Sequence, residues 1–239
     1  MSPKKKPDHS PVIFQRGKIK KDLDLRNIPF TVKQQEFLQL AADKKCAMII
    51  CDGPAGVGKT LLAIYAILDG MNKRKLSDLI YIRSTIQAKD GATGYLKGDL
   101  DEKMAFFDHP LRDKLEELLS VPDAKSLIDD HRIHTMPTSM IRGHNYAAKG
   151  VILDEAQNVS FDSLITVATR MGEFSKLFIL GDSRQNDYGP QSGLKKLYEI
   201  FDDEESRRNG IYCLKFDSED IMRSKLVRYI VQKIEKLPS

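Results

Sequence analysis

The chain has 239 residues, 41% of them hydrophobic and 30% charged, a globular composition long enough for one large domain or two small ones. No apolar run approaches the roughly 18 residues of a membrane span. The charged start has no apolar stretch behind it to make a secretory signal, and three cysteines (Cys46, Cys51, Cys213) lack metal-ligand spacing or an even count for disulfides. The net charge of +4 divides into +6 over residues 1–21 and −2 over residues 22–239, so the basic character belongs to one end of the chain. A reducing, cytoplasmic setting with no membrane partner is expected.

Residues 1–21 are Lys- and Pro-rich with one apolar patch at Val12-Ile13-Phe14, and read as a flexible basic arm that either binds nucleic acid or solubilises the chain. Residues 22–239 read as a single domain. A helix is expected over 31–40 with Thr31 as its N-cap. Gln34 on that helix can both donate to and accept from an adenine edge.

Residues 47–51 read as a buried strand and 61–68 as a buried helix. Between them stands Gly53-Pro54-Ala55-Gly56-Val57-Gly58-Lys59-Thr60, the G-x-x-x-x-G-K-[ST] phosphate-binding loop. Glycines let backbone N–H groups turn inward around an anion, and the positive end of the helix beginning near Leu61 faces the same point. Lys59 is placed to reach the β- and γ-phosphates, and the Thr60 hydroxyl to ligate Mg²⁺. With glycine near 7% of residues, four fixed positions match by chance in roughly one chain in a hundred of this length. The strand and helix on either side lower those odds further.

A second strand is expected over 79–83, then a hairpin excursion over 84–103 with turns at Asp90-Gly91, Gly94 and Gly98. Pro110 sits at a helix N1 position before apolar residues 111, 115, 118 and 119; a short helix over 123–130 and a strand over 132–135 follow. Val151-Ile152-Leu153-Asp154-Glu155 is an apolar strand ending in two carboxylates. Alone, such a string is more often a pair of solvated acids. A phosphate loop about ninety residues upstream reverses that preference: Asp154 would hold Mg²⁺ and Glu155 would polarise the attacking water.

Ser160 caps a helix expected to run to Met171. Another apolar strand, 176–180, ends in Gly181-Asp182, and Gln185 beyond it is placed to sense a γ-phosphate. A helix over 190–201, a charged surface loop over 202–208 and a strand over 211–216 lead to a last helix. Ser218 is its expected cap and Ile221, Met222, Leu226, Ile230 and Ile234 its apolar face. Strands alternating with helices make an α/β fold, a mostly parallel sheet with helices on both faces.

Taken together, these strings resemble the PhoH-like ATPases, whose core is similar to one RecA-like P-loop NTPase domain of superfamily-one helicases. The resemblance covers residues 31–231. It includes the phosphate loop, Tyr95-Leu96-Lys97-Gly98-Asp99, Met140-Ile141-Arg142-Gly143, Leu153-Asp154-Glu155-Ala156-Gln157-Asn158 and Thr169-Arg170-Met171-Gly172. It continues through Gly181-Asp182-Ser183-Arg184-Gln185, Ser192-Gly193-Leu194 and Glu219-Asp220-Ile221-Met222-Arg223. It implies ATP and Mg²⁺ as cofactors, Gln34 as the adenine reader and Gln185 as the γ-phosphate sensor. Arg223 matches the arginine of an Asp-Ile-Val-Arg-His motif, although Met222 and Ser224 depart from that motif. The chain's compactness is similar to bacteriophage members of the family.

Hydrolysis needs positive charge beyond Lys59 and Mg²⁺, and an arginine finger typically supplies 10³–10⁵-fold. One RecA-like domain leaves that arginine to a neighbour, which implies a homo-oligomeric ring or hexamer, with Arg223 the first candidate and Arg170 the second. Three activities stay open: an ATPase working on single-stranded RNA or DNA, helicase- or translocase-like; a nucleotide-regulated oligomeric adaptor with slow hydrolysis; and, least favoured by Glu155 and the 181–185 string, a small-molecule kinase.

Overall fold

The computed structural model describes residues 17, 19, 21–83, 111–141, 145–185, 192–222 and 225–234. The expected hairpin excursion, the Pro110 helix start, Arg142-Gly143 and Arg223 lie outside the described residues.

Among the described residues six strands form one sheet: β1 (Met48–Asp52), β2 (Leu79–Arg83), β3 (Ile133–Pro137), β4 (Gly150–Asp154), β5 (Lys176–Gly181) and β6 (Ile211–Lys215). Their order is β3-β2-β4-β5-β1-β6 and every pairing among them is parallel, so "mostly parallel" sharpens to wholly parallel for the described strands. Parallel strands must be joined by crossovers that cover the sheet, and the strand sequences show it. β1, β2, β4 and β5 are apolar almost throughout because successive residues enter opposite cores. Ile49, Cys51, Tyr81, Ile152 and Phe178 pack on one side. Ile50, Ile80, Leu153 and Ile179 pack on the other.

The first face is covered by α1 (Val32–Ala42), α2 (Lys59–Asn72), a helical run over residues 111–118 (α3) and α4 (Val121–Asp129). The second is covered by α5 (Phe161–Ala168) and α6 (Gly193–Phe201). Local chemistry sets the helix starts. The Thr31 side chain accepts from the Gln34 N–H while Gln34 Oε1 accepts from the Thr31 N–H, a reciprocal capping box. Ser120 and Ser160 cap α4 and α5 through their hydroxyls alone.

Several boundaries shift by a few residues from the expectation, and four differences go further. The basic arm does not stay free to residue 21: Ile19 and Leu23 enter the core, and Leu23 exchanges two hydrogen bonds with Asn72. Helix α5 ends at Ala168, and Met171 instead bridges to Tyr146. The charged stretch 202–208 contains a helix, α7 (Glu204–Arg208), because Asp203 caps the Ser206 N–H and acids precede bases along the helix dipole. The last helix, α8, spans only Lys225–Ile234. Residues Ser218–Asp220 form a separate 3₁₀ turn capped by Asp217, which breaks the helical phase. Ile221 is therefore buried with the turn, while Met222, Leu226 and Ile230, expected on a buried face, are exposed.

The amino edge of the sheet holds a closed polar network. Asp78 precedes β2, Arg132 precedes β3 and Lys149 precedes β4. Asp78 is fully buried and Lys149 is 3% exposed. Lys149 Nζ donates to Asp78 Oδ2 and to Ser77 Oγ, and Arg132 Nη1 lies 3.4 Å from Asp78 Oδ1. Buried charges need such pairing to be tolerated at all.

Candidate nucleotide site

Parallel sheets bind ligands at the carboxyl ends of their strands, and the phosphate loop, Asp154-Glu155 and the 181–185 string converge there. Past Asp52 the chain turns through the phosphate loop with Gly56 at φ 90° and Gly58 at φ 86°, conformations that favour glycine. Gly58 is also the N-cap of α2 and brings no side chain to its first turn. The free N–H groups there are left to an anion. Lys59 Nζ folds back over the loop, donating to the carbonyls of Gly53 at 2.5 Å and Pro54 at 3.0 Å. Pro54, Ala55, Val57 and Leu61 complete the turn and the start of α2.

Gln34 lies beneath this loop, 3% exposed. Its Oε1 is held by the Thr31 N–H and its Nε2 donates to the Val57 carbonyl at 2.9 Å. In this arrangement one end of the amide caps α1 and the other braces the loop, leaving one N–H and one lone pair of the amide for any further partner.

Asp154 ends β4, with Thr60 and Glu155 beside it. Its Oδ2 accepts the Thr60 hydroxyl at 3.0 Å and the Tyr81 hydroxyl at 2.6 Å, and its Oδ1 accepts the Glu155 N–H at 3.0 Å. Burial, then the charge of Asp154, pushes the Tyr81 phenol well above its ordinary value. Glu155 has φ 55°, a left-handed conformation that costs of order 1–3 kcal/mol for such a residue. Its Oε2 accepts from Gln157 Nε2 at 2.7 Å, and Arg83 lies 3.8 Å from its Oε1. Gln157 Oε1 accepts the Asp182 N–H, and Asp52 accepts both the N–H and the hydroxyl of Ser183. The glutamate, the β5 turn and the phosphate-loop strand are thus linked by side chains.

Lys59, Thr60, Asp154, Glu155 and Gln185 line one cleft of about 310 Å³, with Lys114 and Glu117 of α3 and Met222 at its margin. The C-terminal turn is strapped to it: the Met222 N–H donates to the Gly56 carbonyl, and Lys33 Nζ lies 2.9 Å from Asp217 and 3.4 Å from Asp220. The hydrogen bond to Asp217 raises the Lys33 pKa, and the same bond lowers that of Asp217. A roomier cleft of about 460 Å³ lies by Ile19, Leu23, Asp123 and Arg132, and none of the motif residues lines it.

Helix α5 carries the chain from the carboxyl edge back to the start of β5, so Arg170 lies at the far edge, where its carbonyl accepts from Tyr146. It does not enter the cleft of its own chain. Arg223 follows Met222 directly but lies outside the described residues. Sequence reasoning quoted Gln157 within the 153–158 string without giving it a role, and missed Tyr81, Asp52, Lys114 and Glu117. Of these four, Tyr81 left a usable signal: a hydroxyl inside the apolar run Leu79-Ile80-Tyr81-Ile82 needs a partner once buried.

Thr60 and Asp154 offer hard oxygens at the cleft mouth, which fits Mg²⁺, a cation commonly held by one or two protein groups and substrate phosphates. Among the described residues there is no cluster of three or more His, Cys, Asp or Glu that could form an all-protein cage. No helix of the described residues is long and apolar enough to cross a membrane.

The PhoH-like protein family model matches residues 28–235. A PhoH-like protein of Bacillus subtilis (strain 168) is 32% identical over 208 residues, covering 86% of this chain and 63% of the relative. Protein PhoH of Escherichia coli (strain K12) is 30% identical over 197 residues, 81% of this chain and 54% of the relative. The chain therefore spans a little over half the length of these relatives. Among solved structures, the large terminase from a thermophilic bacteriophage in complex with ADP matches at TM-score 0.47 and 16% identity, over 87% of this chain and 51% of that one. On the family match across most of its length, with the phosphate loop and the Asp154-Glu155 strand end meeting in one cleft, the chain belongs to the PhoH-like protein family.

Proposed function

We propose that this chain is a P-loop ATPase that binds ATP with Mg²⁺ at the carboxyl edge and hydrolyses its γ-phosphate. The contact between Thr60 and Asp154, 3.0 Å long across 94 residues of sequence, carries this reading, because it joins the loop that grips phosphate to the strand end that manages water. The backbone of residues 53–60 and the start of α2 receive the phosphates. Lys59 exchanges its carbonyl partners for phosphate oxygens. Thr60 and Asp154 hold Mg²⁺, which when bound offsets the negative charge of the phosphates. Glu155 orients and polarises the attacking water, and Gln185 responds to the γ-phosphate from the neighbouring strand. Stabilisation of the transition state is completed by an arginine of a neighbouring subunit in a ring, Arg223 or Arg170. Arg170's place at the edge far from its own cleft suits a role in trans.

Single-stranded RNA or DNA is the proposed partner, supported by the concentration of positive charge in residues 1–21 and by the family's helicase-like motifs. The second reading, a nucleotide-regulated adaptor with slow hydrolysis, draws support from Glu155 itself, whose carboxylate is already engaged by Gln157 and faces Arg83 at 3.8 Å. Measuring ATPase rate against protein concentration, with and without single-stranded RNA and DNA, separates the two. Polynucleotide stimulation and a per-subunit rate rising with assembly support the motor and the arginine in trans. A slow rate indifferent to any polynucleotide favours the adaptor, and no nucleotide binding at all removes both.

A further inference from the structure

Strand β2 brings a hydroxyl to the floor of the site. Tyr81 is 1% exposed and pairs in register with Ile152. Asp154, two residues further along β4, stands on the same face of the sheet because side chains alternate with a period of two. The ring spans that offset so that its hydroxyl meets Asp154 Oδ2 at 2.6 Å, within the range of a charge-assisted O–H···O⁻ bond. Thr60 of α2 donates to the same oxygen, and the Glu155 N–H holds the other. Three donors from three places in the chain fix both the tilt and the rotation of one carboxylate.

We propose that Tyr81 is a positioning residue that sets the divalent-cation affinity of the site through its hold on Asp154. This rests on the assignment of Thr60 and Asp154 to Mg²⁺. Phenylalanine would fill the same volume without a hydroxyl that must find a partner in the core, so core packing alone does not call for tyrosine here. Thr60 has a hydroxyl that must also serve the cation. Of the two side-chain donors on Oδ2, only Tyr81 is left to hold Asp154 alone.

The test is a Mg²⁺ titration of fluorescent ADP binding, wild type against Tyr81→Phe, alongside ADP binding in EDTA and thermal unfolding. The half-saturating Mg²⁺ concentration should rise about tenfold, as is typical when a partner orienting a metal ligand is removed, with EDTA binding unchanged. An unchanged Mg²⁺ midpoint in a folded Tyr81→Phe protein overturns the proposal, whatever happens to stability. Repeating the substitution in an Asp154→Asn background separates the mechanism from packing: the Tyr81→Phe shift should vanish there, and its persistence also overturns the proposal. If wild-type binding shows no Mg²⁺ dependence, the cation assignment itself fails, which is a different result from a wild type that titrates and a variant that titrates identically.

Discussion

The two edges of the sheet handle buried charge in opposite ways. At the amino edge, Asp78, Lys149 and Arg132 satisfy one another with Ser77 in a closed network. At the carboxyl edge, Asp52, Asp154, Glu155 and Asp182 gather around a loop whose one cation, Lys59, is parked on carbonyls. Apart from Arg83, 3.8 Å from Glu155, the acids there are held by neutral donors: Tyr81, Thr60, Gln157, Ser183 and backbone N–H groups. Neutral donors orient a carboxylate without cancelling its charge, which leaves it able to bind a cation or polarise water. Ion pairing at the other edge cancels charge and leaves structure alone. One edge is built for chemistry and the other for holding strands in place.

Substitutions at the two edges should therefore separate activity from stability. Glu155→Gln should lower kcat by about 10²–10⁴-fold, the range for loss of a group that moves or polarises a proton. ADP affinity and the urea midpoint should stay near wild type, as steady-state kinetics, equilibrium binding and denaturation would show. Lys149→Met should do the reverse. Leaving buried Asp78 with only Ser77 and the 3.4 Å contact to Arg132 should cost about 1–3 kcal/mol, read as a fall in the urea midpoint, while the folded fraction keeps its nucleotide affinity. A Lys149→Met variant with unchanged stability, or a Glu155→Gln variant that unfolds, would erase the contrast.

The sequence announces the carboxyl edge far better than the amino edge. A phosphate loop and an Asp-Glu strand end are local strings, with their chemistry in consecutive residues, so Gly53 to Thr60 and Asp154-Glu155 are readable at once. The Asp78–Lys149 pair is separated by 71 residues, and nothing local marks either one as buried. Asp52 is silent for the same reason, and Tyr81 offers only a hydroxyl in an apolar run, since their partners Ser183 and Asp154 are far away in sequence. The last helix fails differently. Residues 218–234 have a helical apolar period, but the reciprocal bonds of Asp217 and Asp220 close a turn first, and capping chemistry overrides the periodicity.

Gln34 tests how far the loop depends on its brace. Gln34→Ala removes one half of a capping box and leaves the buried Val57 carbonyl without its donor, a loss of about 1–3 kcal/mol. The fall in thermal stability should come with weaker ADP binding, because the brace ends on the loop itself. Unchanged ADP affinity would make Gln34 a helix cap and nothing more.

Strand β1 spans the contrast, with Cys46 just before it and Cys51 near its carboxyl end. Burial raises both thiols, to about 11 and about 12 respectively. The unfolded chain loses these protons from about pH 9 while the folded chain keeps them. Their stabilisation is thus complete below that value and declines as pH rises toward 11 to 12. At about pH 10 each thiol should account for on the order of 1 kcal/mol of lost stability. Cys51→Ala should flatten the fall in urea midpoint between neutral pH and about pH 10 relative to wild type; an equal slope would show that the thiol does not titrate in the unfolded chain as argued.

The smallest effect belongs to the strap over the loop. The Lys33–Asp217 pair is partly exposed, so solvent limits it to less than about 1 kcal/mol. Its sign is set by both partners. The lowered Asp217 contributes fully above the ordinary carboxylate value of 3.8 and is lost as pH falls through its folded pKa. The raised Lys33 contributes fully below 10.5 and is lost as pH rises through its own. Between those limits the strap should be pH-independent but weakened by salt. Lys33→Met should leave the melting temperature within a few degrees of wild type. Because the strapped turn leads to the Met222 N–H bond on Gly56, the clearer readout is ADP affinity, which should fall modestly in low salt and converge with wild type in high salt. Equal affinities at every ionic strength would mean that the turn stays on the loop through Ile221 packing alone.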